Sequence, residues 1–141
     1  MKVLLVYPNL FGMNMLPPAV GILNSILRQA GHTTALFDTT NYGEWQHLDV
    51  VSDKLKEERL NARPYDDTVL MESLRTGYPA DDFAAFVRTY SPDLLAFSVT
   101  EDMYPNAIEL LRALPASTRP TTVFGGVFPT FAPELAIELS E

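Results

Sequence analysis

Short apolar runs alternate with longer amphipathic segments along the 141 residues of the chain. The short runs are rich in leucine, β-branched and aromatic residues and have few polar positions, which predicts buried β-strands. These runs cover residues 2–8, 33–38, 93–100 and 121–126. The longer segments carry apolar residues at helical spacing, often after a proline suited to a first turn, which predicts α-helices. They cover residues 17–32, 81–90, 105–114 and 133–141.

The alternation predicts the fold class and the edge at which a ligand binds. Strands with few polar positions that alternate with helices favour a parallel sheet covered on both faces. Right-handed crossovers then give an α/β, Rossmann-like (flavodoxin-like) doubly wound sheet. Ligands of such folds bind at the carboxyl ends of the strands, which lead here into loops 8–16, 38–45, 98–104 and 125–132. A fifth strand is expected after the fourth strand and its helix, so we expect the sequence to be a truncated part of a longer protein.

A long insertion interrupts the alternation between residues 39 and 79. It is far longer than a usual connection between a strand and a helix. Residues 48–60 within it carry the pattern of a helix with a charged outer face. The sequence leaves two interpretations open: a surface elaboration, or a lid or docking surface over the ligand edge.

Composition narrows the classes of function. The formal net charge of −8 argues against binding to nucleic acid or to an anionic membrane surface, and no apolar run is long enough to span a bilayer. The chain has no cysteine, which excludes disulfides, thiolate metal sites and an iron–sulfur cluster held by this chain. We therefore expect a cytoplasmic protein that contacts neither nucleic acid nor membrane.

Common catalytic patterns are missing from the predicted ligand edge. Gly12 is the single glycine in the loop after the first strand, so the loop is not a G-x-G-x-x-G fingerprint. The loop has no serine or threonine either, so it is not a hydroxyl-rich phosphate loop. Glu101 and Asp102 follow the third strand, and we interpret them as caps of the next helix rather than as an acid–base pair. His32 is expected at the opposite edge, where the strands begin. The sequence therefore predicts no catalytic residue and no metal ligand.

Apolar, hydroxyl-bearing and glycine positions remain at the ligand edge. Together they suit a large, partly apolar organic ligand with a few polar edges. The predicted binding residues are Asn9, Phe11, Gly12, Met15, Leu16, Ser98, Val99, Thr100, Gly125, Gly126, Val127 and Thr130. The adjacent glycines have two interpretations that stay open: a slot along which a flat group can slide, or a tight turn that needs positive φ.

Two pairs of stretches and one single stretch also point to a known family. They are "KVLLVYPN" with "LPPAVGILNSILRQAGH", "SPDLLAFSVT" with "YPNAIELLRAL", and the single stretch "VFGGVFPTFAPE" that follows them. In this order and spacing, the chain resembles the N-terminal cobalamin-binding domain of B12-dependent radical SAM enzymes. The resemblance covers most of the chain and is weakest in residues 39–79. It implies a Rossmann-like sheet.

The resemblance implies a cofactor and the place where it binds. The nucleotide tail of cobalamin would pass beside the third and fourth strands, along Gly125 and Gly126. Ser98 and Thr100 would stand at the serine motif that lines the tail. Many B12 carriers have a D-x-H-x-x-G loop whose histidine binds cobalt, but the matching residues 9–12 contain no histidine. We therefore expect no cobalt ligand from this loop.

The resemblance also implies an enzyme of which this chain is the non-catalytic, cofactor-binding part. S-adenosylmethionine and a [4Fe-4S] cluster would belong to a radical SAM domain that follows residue 141 or lies on a partner chain. The complete enzyme would be a methyltransferase or a tetrapyrrole-cyclase-like protein. The alternative from another class is a cofactor-free Rossmann-like domain for protein interaction or regulation, and a flavodoxin-like binder of another nucleotide-type ligand is a third.

Overall fold

The computed structural model describes residues 1–10, 16–43, 72 and 74–140. Within them lie four strands: β1 (Lys2–Tyr7), β2 (Thr33–Asp38), β3 (Leu94–Ser98) and β4 (Thr121–Gly125). The same residues form five α-helices: α1 (Pro18–Gln29), α2 (Pro79–Tyr90), α3 (Tyr104–Arg112), α4 (Val127–Phe131) and α5 (Pro133–Ser140). All predicted strands and helices outside the insertion are confirmed, with boundaries shifted by a few residues. The helix predicted for residues 48–60 lies outside the described residues.

The four strands form one parallel sheet in the order β2-β1-β3-β4. The chain therefore moves from β1 outward to β2 and then returns to the other side of β1 with β3. This reversal of direction lies between the carboxyl ends of β1 and β3, which is the position where doubly wound sheets bind ligands. The predicted α/β, Rossmann-like fold is confirmed.

The two faces of the sheet are packed differently. On the face that we call the helix-rich face, β3 contributes Leu95 and Phe97 to the main core, together with side chains from α2, α3 and α5. On the opposite α1 face, a smaller cluster joins Leu5 to Val20 of α1, with Ala96 packed against it. Since side chains alternate along a strand, Ser98 follows Ala96 on the α1 face. The α1 face therefore leaves the carboxyl ends of β3 and β4 more open.

The end of α1 follows from Gly31, as the sequence predicts. Gly31 has φ +81°, its N–H donates to Arg28 O at 3.1 Å, and the N–H of His32 donates to Leu27 O at 3.0 Å. These two bonds form the Schellman motif, which favours glycine because of the left-handed backbone. The motif turns the chain into β2 and places His32 at the amino-end edge of the sheet, as expected.

Two local predictions are wrong. The loop predicted for residues 125–132 contains helix α4, which starts directly after Gly126 and packs Phe128 against the ring of Tyr104 at 4.8 Å. Glu101 and Asp102 are exposed and do not cap α3, whose N-cap is Met103 and has no side-chain cap hydrogen bond. In both places long-range packing against Tyr104 and the core determines the local structure, and local sequence preference does not.

The two ends of the insertion are joined at its base. Tyr42 and Arg75 form an isolated parallel bridge, and Arg75 N–H donates to Asn41 O at 2.8 Å. Tyr42 is 1 % exposed and donates its hydroxyl to Asp82 Oδ2 at 2.8 Å, while the Arg75 guanidinium lies 5.5 Å from the Tyr42 ring centre. The insertion therefore leaves the domain and returns to it at one place, beside the carboxyl end of β2. No helix in the described part of the chain is long and apolar enough to cross a membrane.

Candidate functional site

The predicted site residues of β3 and β4 lie side by side at the carboxyl edge. Ser98 pairs in register with Gly125, and Ala96 pairs with Val123 one step before them. All four residues lie on the α1 face, and on β4 the side chain shrinks from that of Val123 to none at Gly125. We call the surface patch over these four residues the trough. Its floor reaches solvent, since Val123 is 51 % exposed.

Gly125 leaves open space in the trough. A Cβ built on its backbone would meet a single atom of the described residues within 4 Å, Phe97 O at 3.7 Å. The conformation of Gly125 is that of an ordinary strand residue, because positive φ is found at Gly126 and not at Gly125. Neither strain nor crowding therefore requires a glycine at 125.

Gly126 is different, because the fold itself requires it. Its φ of +105° is one that residues with a Cβ rarely adopt, and a Cβ would lie 2.3 Å from Val99 O and 2.9 Å from Val99 N. The close approach is made by the protein's own backbone at the end of β3, where Val99 N–H donates to Gly125 O at 2.9 Å. The turn interpretation therefore accounts for Gly126, while the slot interpretation remains available only for Gly125.

Two hydroxyl-bearing residues at the end of β3 and just after it, Ser98 and Thr100, have no side-chain hydrogen bond to any described residue. Thr100 Oγ1 is sealed from solvent and has no hydrogen-bond partner among the described residues. A buried hydroxyl without a partner costs free energy, so Thr100 Oγ1 is a candidate for a hydrogen bond to a further group. Ser98 is half-buried, and its side chain makes no hydrogen bond within the same described ranges.

The other predicted residues fall into three groups. Asn9 is fully buried and donates from Nδ2 to Thr40 Oγ1 at 2.9 Å, while Thr39 Oγ1 donates to Asn9 O at 2.7 Å. Asn9 therefore ties the loop after β1 to the loop after β2. Leu16 and Val127 are exposed, and Thr130 donates its hydroxyl to Gly126 O at 2.6 Å. Phe11, Gly12 and Met15 lie outside the described residues.

Sequence reasoning missed several residues at this edge. Thr39 and Thr40 form hydrogen bonds to Asn9 in the loop after β1. Two adjacent hydroxyl-bearing residues directly after a predicted strand could have indicated this role. Tyr7 ends β1, and burial, helped by the charge of the nearby Asp38, raises the pKa of its phenol. Phe131 of α4 is 83 % exposed close to the glycine pair, and only the three-dimensional structure reveals that exposure.

Fold and site together define a class of protein. The chain forms a doubly wound parallel sheet, and Rossmann-like domains of this class generally bind ligands at the carboxyl ends of their strands, where the trough over β3 and β4 lies. Residues 9–140 match the family model described as the B12 binding domain. The chain therefore belongs to the B12-binding domain family, and this membership supports cobalamin as its ligand. No curated protein and no solved structure matches the chain significantly.

Proposed function

We propose that this domain holds cobalamin by its nucleotide tail, which lies in the trough over β3 and β4. The open space above Gly125 is the observation that carries this assignment. A glycine in a strand loses packing and backbone entropy, and at this position neither φ nor crowding explains it. Space for a ligand would explain the glycine at this position.

The residues around the trough fit the cofactor. Thr100 Oγ1 is a buried hydroxyl without a partner, and a hydroxyl can donate to or accept from the amide, ribose or phosphate groups of a nucleotide tail. Ser98 comes two residues before Thr100, and it pairs with Gly125 on the same face of the sheet. Val123 and Ala96 offer an apolar floor against which a flat ring can pack. Polar groups beside an apolar floor are typical of cofactor sites.

The domain would bind and orient the cofactor, and the cofactor would supply the reactive centre. Cobalamin contributes the chemistry of its cobalt–carbon bond to the enzymes that use it. Residues 9–12 contain no histidine, so this loop would leave the cobalt without a ligand from a histidine ring. The exposed apolar side chains of Leu16, Val127 and Phe131 would border the ligand at this edge.

We further propose that the domain serves a B12-dependent radical SAM enzyme, either a methyltransferase or a tetrapyrrole-cyclase-like protein. The order and spacing of "KVLLVYPN", "SPDLLAFSVT" and "VFGGVFPTFAPE" support this proposal. S-adenosylmethionine and the [4Fe-4S] cluster would then be bound by a following domain or a partner chain. A cytoplasmic location is proposed with it. The presence of a C-x-x-x-C-x-x-C run in the coding sequence downstream of residue 141 tests the association.

Cobalamin retention tests the tail assignment. The purified domain is mixed with hydroxocobalamin or with cobinamide, which lacks the nucleotide tail, then desalted, and the visible spectrum is recorded. We expect stoichiometric retention of hydroxocobalamin and little retention of cobinamide, because the contacts of the trough are made to the tail. Equal retention of both would contradict the tail assignment and leave cobalamin binding intact. Retention of neither would favour the interaction or regulatory domain, which the exposed Phe131 also suits.

A further inference from the structure

One row of residues crosses the four strands at the carboxyl edge of the sheet. Tyr7 pairs in register with Asp38, and Ser98 pairs with Gly125. The pairing of β1 with β3, continued by one residue, places Tyr7 beside Ser98. In the strand order β2-β1-β3-β4, the members of the row are Asp38, Tyr7, Ser98 and Gly125. The last two belong to the trough, and the first two continue the same edge across β1 and β2.

Tyr7 and Asp38 lie side by side on the α1 face of the sheet. Leu5 belongs to the cluster beneath α1, and Tyr7 follows two residues later, so the alternation of side chains along a strand places Tyr7 on that face. Asp38 shares the face, because it is the partner of Tyr7 in the register. Tyr7 is 7 % exposed, and its ring also reaches the main core at the end of β1. A phenol and a carboxylate are therefore neighbours at the edge where ligands of this fold bind.

Each of the two side chains keeps one polar atom without a hydrogen bond to any described residue. Asp38 Oδ1 accepts from Thr40 N–H at 2.9 Å and from the Thr40 hydroxyl at 2.5 Å. No donor among the described residues bonds to Asp38 Oδ2, and the Tyr7 hydroxyl makes no hydrogen bond in the same ranges. Thr40 therefore fixes the carboxylate of Asp38 and leaves its second oxygen for another group.

The two groups differ in what they offer to a ligand. Burial, helped by the charge of Asp38, raises the pKa of the Tyr7 phenol, so the phenol stays protonated and can donate. A carboxylate can only accept. A donor beside an acceptor matches a primary amide, whose carbonyl oxygen accepts and whose NH2 group donates. A carboxylate of the same shape has no proton for Asp38 and is repelled by its charge.

We propose that Tyr7 and Asp38 select a primary amide at the periphery of the ligand, so that the domain admits amidated corrins and rejects corrins with a carboxylate at that place. This inference rests on the proposed function, because it takes cobalamin as the ligand. The corrin ring of cobalamin carries primary amides around its rim. If the tail lies over β3 and β4, the part of the row on β1 and β2 is left for the rest of the cofactor. Sites with placed polar groups reject analogues that leave those groups unpaired.

Cobalamin monocarboxylic acids test the selection, because each has one peripheral primary amide replaced by a carboxylate. Equilibrium dialysis of the purified domain against hydroxocobalamin and against each isolated monoacid gives the affinities. We expect the parent to bind at least one monoacid about tenfold or more less tightly than hydroxocobalamin. In Asp38→Asn the amide oxygen can keep the bonds from Thr40, while the NH2 group replaces the free acceptor with a donor. The preference for the amide should therefore fall at least about fivefold.

Asp81→Asn is the matched control for the loss of charge. Asp81 is an exposed carboxylate in the first turn of α2, so the same chemical change leaves the row as it is. The net charge of −8 becomes less negative by one unit in both variants. General repulsion of an acidic ligand therefore changes in the same direction in both, and the preference should stay that of the parent in Asp81→Asn.

Tyr7→Phe tests the donor of the pair. The substitution keeps the ring and removes a hydroxyl that bonds to no described residue, so the melting temperature without ligand should stay unchanged or rise slightly. The affinity for hydroxocobalamin should fall about two- to tenfold through the lost hydrogen bond. Unchanged affinity would remove Tyr7 from the pair and overturn the proposal.

The remaining outcomes separate this inference from the proposed function. A parent that binds hydroxocobalamin and every monoacid alike would overturn the selection and leave cobalamin binding intact. An equal change of preference in Asp38→Asn and Asp81→Asn would overturn it as well. A parent that retains no corrinoid would contradict the proposed function, and the selection with it. Cobinamide tests the tail and the monoacids test the corrin rim, so either assignment can fail while the other stands.

Discussion

Two neighbouring glycines in this protein differ in whether the fold requires them. Gly126 has a backbone angle and a distance to Val99 O that exclude a Cβ. Gly125 has neither constraint, because the one atom of the described residues within 4 Å of a Cβ built there is Phe97 O at 3.7 Å. A substitution at Gly126 therefore tests the fold, and a substitution at Gly125 tests the ligand site.

Substitution of the two glycines should separate stability from binding. Gly126→Ala should lower the free energy of unfolding by at least about 2 kcal/mol, because the new Cβ is both strained and crowded. Gly125→Val should leave stability unchanged or raise it by up to about 1 kcal/mol, since valine suits a strand better than glycine. It should nevertheless reduce cobalamin retention at least about tenfold by filling the trough.

Thr121→Val is the matched control for Gly125→Val. Thr121 lies on the same strand and the same face but at the amino end, where it pairs with Leu94. Chemical denaturation measures stability, and visible spectra after desalting measure retention. Normal retention by Gly125→Val would show that the trough does not hold the ligand.

Thr100 should respond to substitution with opposite changes in stability and binding. Thr100→Val keeps the shape and removes a hydroxyl that has no partner in the described structure. We expect the melting temperature without cofactor to rise slightly or stay constant, because an unpaired buried hydroxyl is removed. If the hydroxyl bonds to the tail, the free energy of cobalamin binding should weaken by about 1 kcal/mol, which lowers the affinity about fivefold. Titration with hydroxocobalamin measures this change, and unchanged affinity would remove Thr100 from the site.

Helix α1 offers a prediction at the scale of an element, because a glycine inside the helix and a glycine just after its end have opposite backbone requirements. Gly21 lies inside the helix with open space around it, whereas Gly31 closes the helix with φ +81°. Gly21→Ala should raise the free energy of unfolding by about 0.5–1 kcal/mol, since alanine is the better helix former. Gly31→Ala should lower it by about 1 kcal/mol, because alanine is strained in the left-handed region.

Chemical denaturation of both α1 variants measures the two changes. Apart from the adjacent residues and the helix backbone, no atom of the described residues lies within 4 Å of a Cβ added at either glycine, so packing does not obscure the comparison. A loss of stability in both variants would contradict the assignment of the Schellman motif as the end of a regular helix.

At the same scale, the elements that sequence reasoning identified and those it missed differ in what determines them. Strands β1 to β4 and helices α1 to α3 carry their own periodic pattern, so composition and spacing predict them. Helix α4 is five residues long and has no room for a periodic pattern. It forms because Gly126 turns the chain and Phe128 packs on Tyr104. Gly126 and Tyr104 both lie outside the five residues of α4.

For the molecule as a whole, buried tyrosines predict sensitivity to alkali. Burial is the main cause that raises the pKa of Tyr42 and Tyr104, which are 1 % and 2 % exposed. The folded state then favours the neutral phenol. The resulting stability is fully present below the pKa of unfolded tyrosine, about 10, and is lost as the pH rises through the higher folded value. The free energy of unfolding should therefore fall above about pH 10.

Tyr42→Phe tests this prediction. The variant should be less stable at neutral pH, because it loses the hydrogen bond to Asp82, but its stability should fall less steeply in alkali. Denaturation curves at a series of pH values measure both effects, and the ultraviolet absorbance of phenolate reports ionisation. Equal alkaline slopes for the parent and the variant would contradict a contribution from Tyr42.

The sequence by itself determined the fold class and the order of the elements, and it predicted the edge at which a ligand would bind. These properties follow from the period of apolar positions and from general rules for parallel sheets, which need no knowledge of distant contacts. The same pattern brought Ser98 and Gly125 to one edge.

Only the tertiary structure decided how the two glycines differ and, within the described residues, which hydroxyl lacks a partner and which helix packs beside β4. Each of these depends on atoms far apart in the chain: Val99 O against Gly126, the surroundings of Thr100 Oγ1, and α5 beside β4. A sequence pattern records the period of each element, but such contacts depend on distances between elements, and these exist only after the elements pack together.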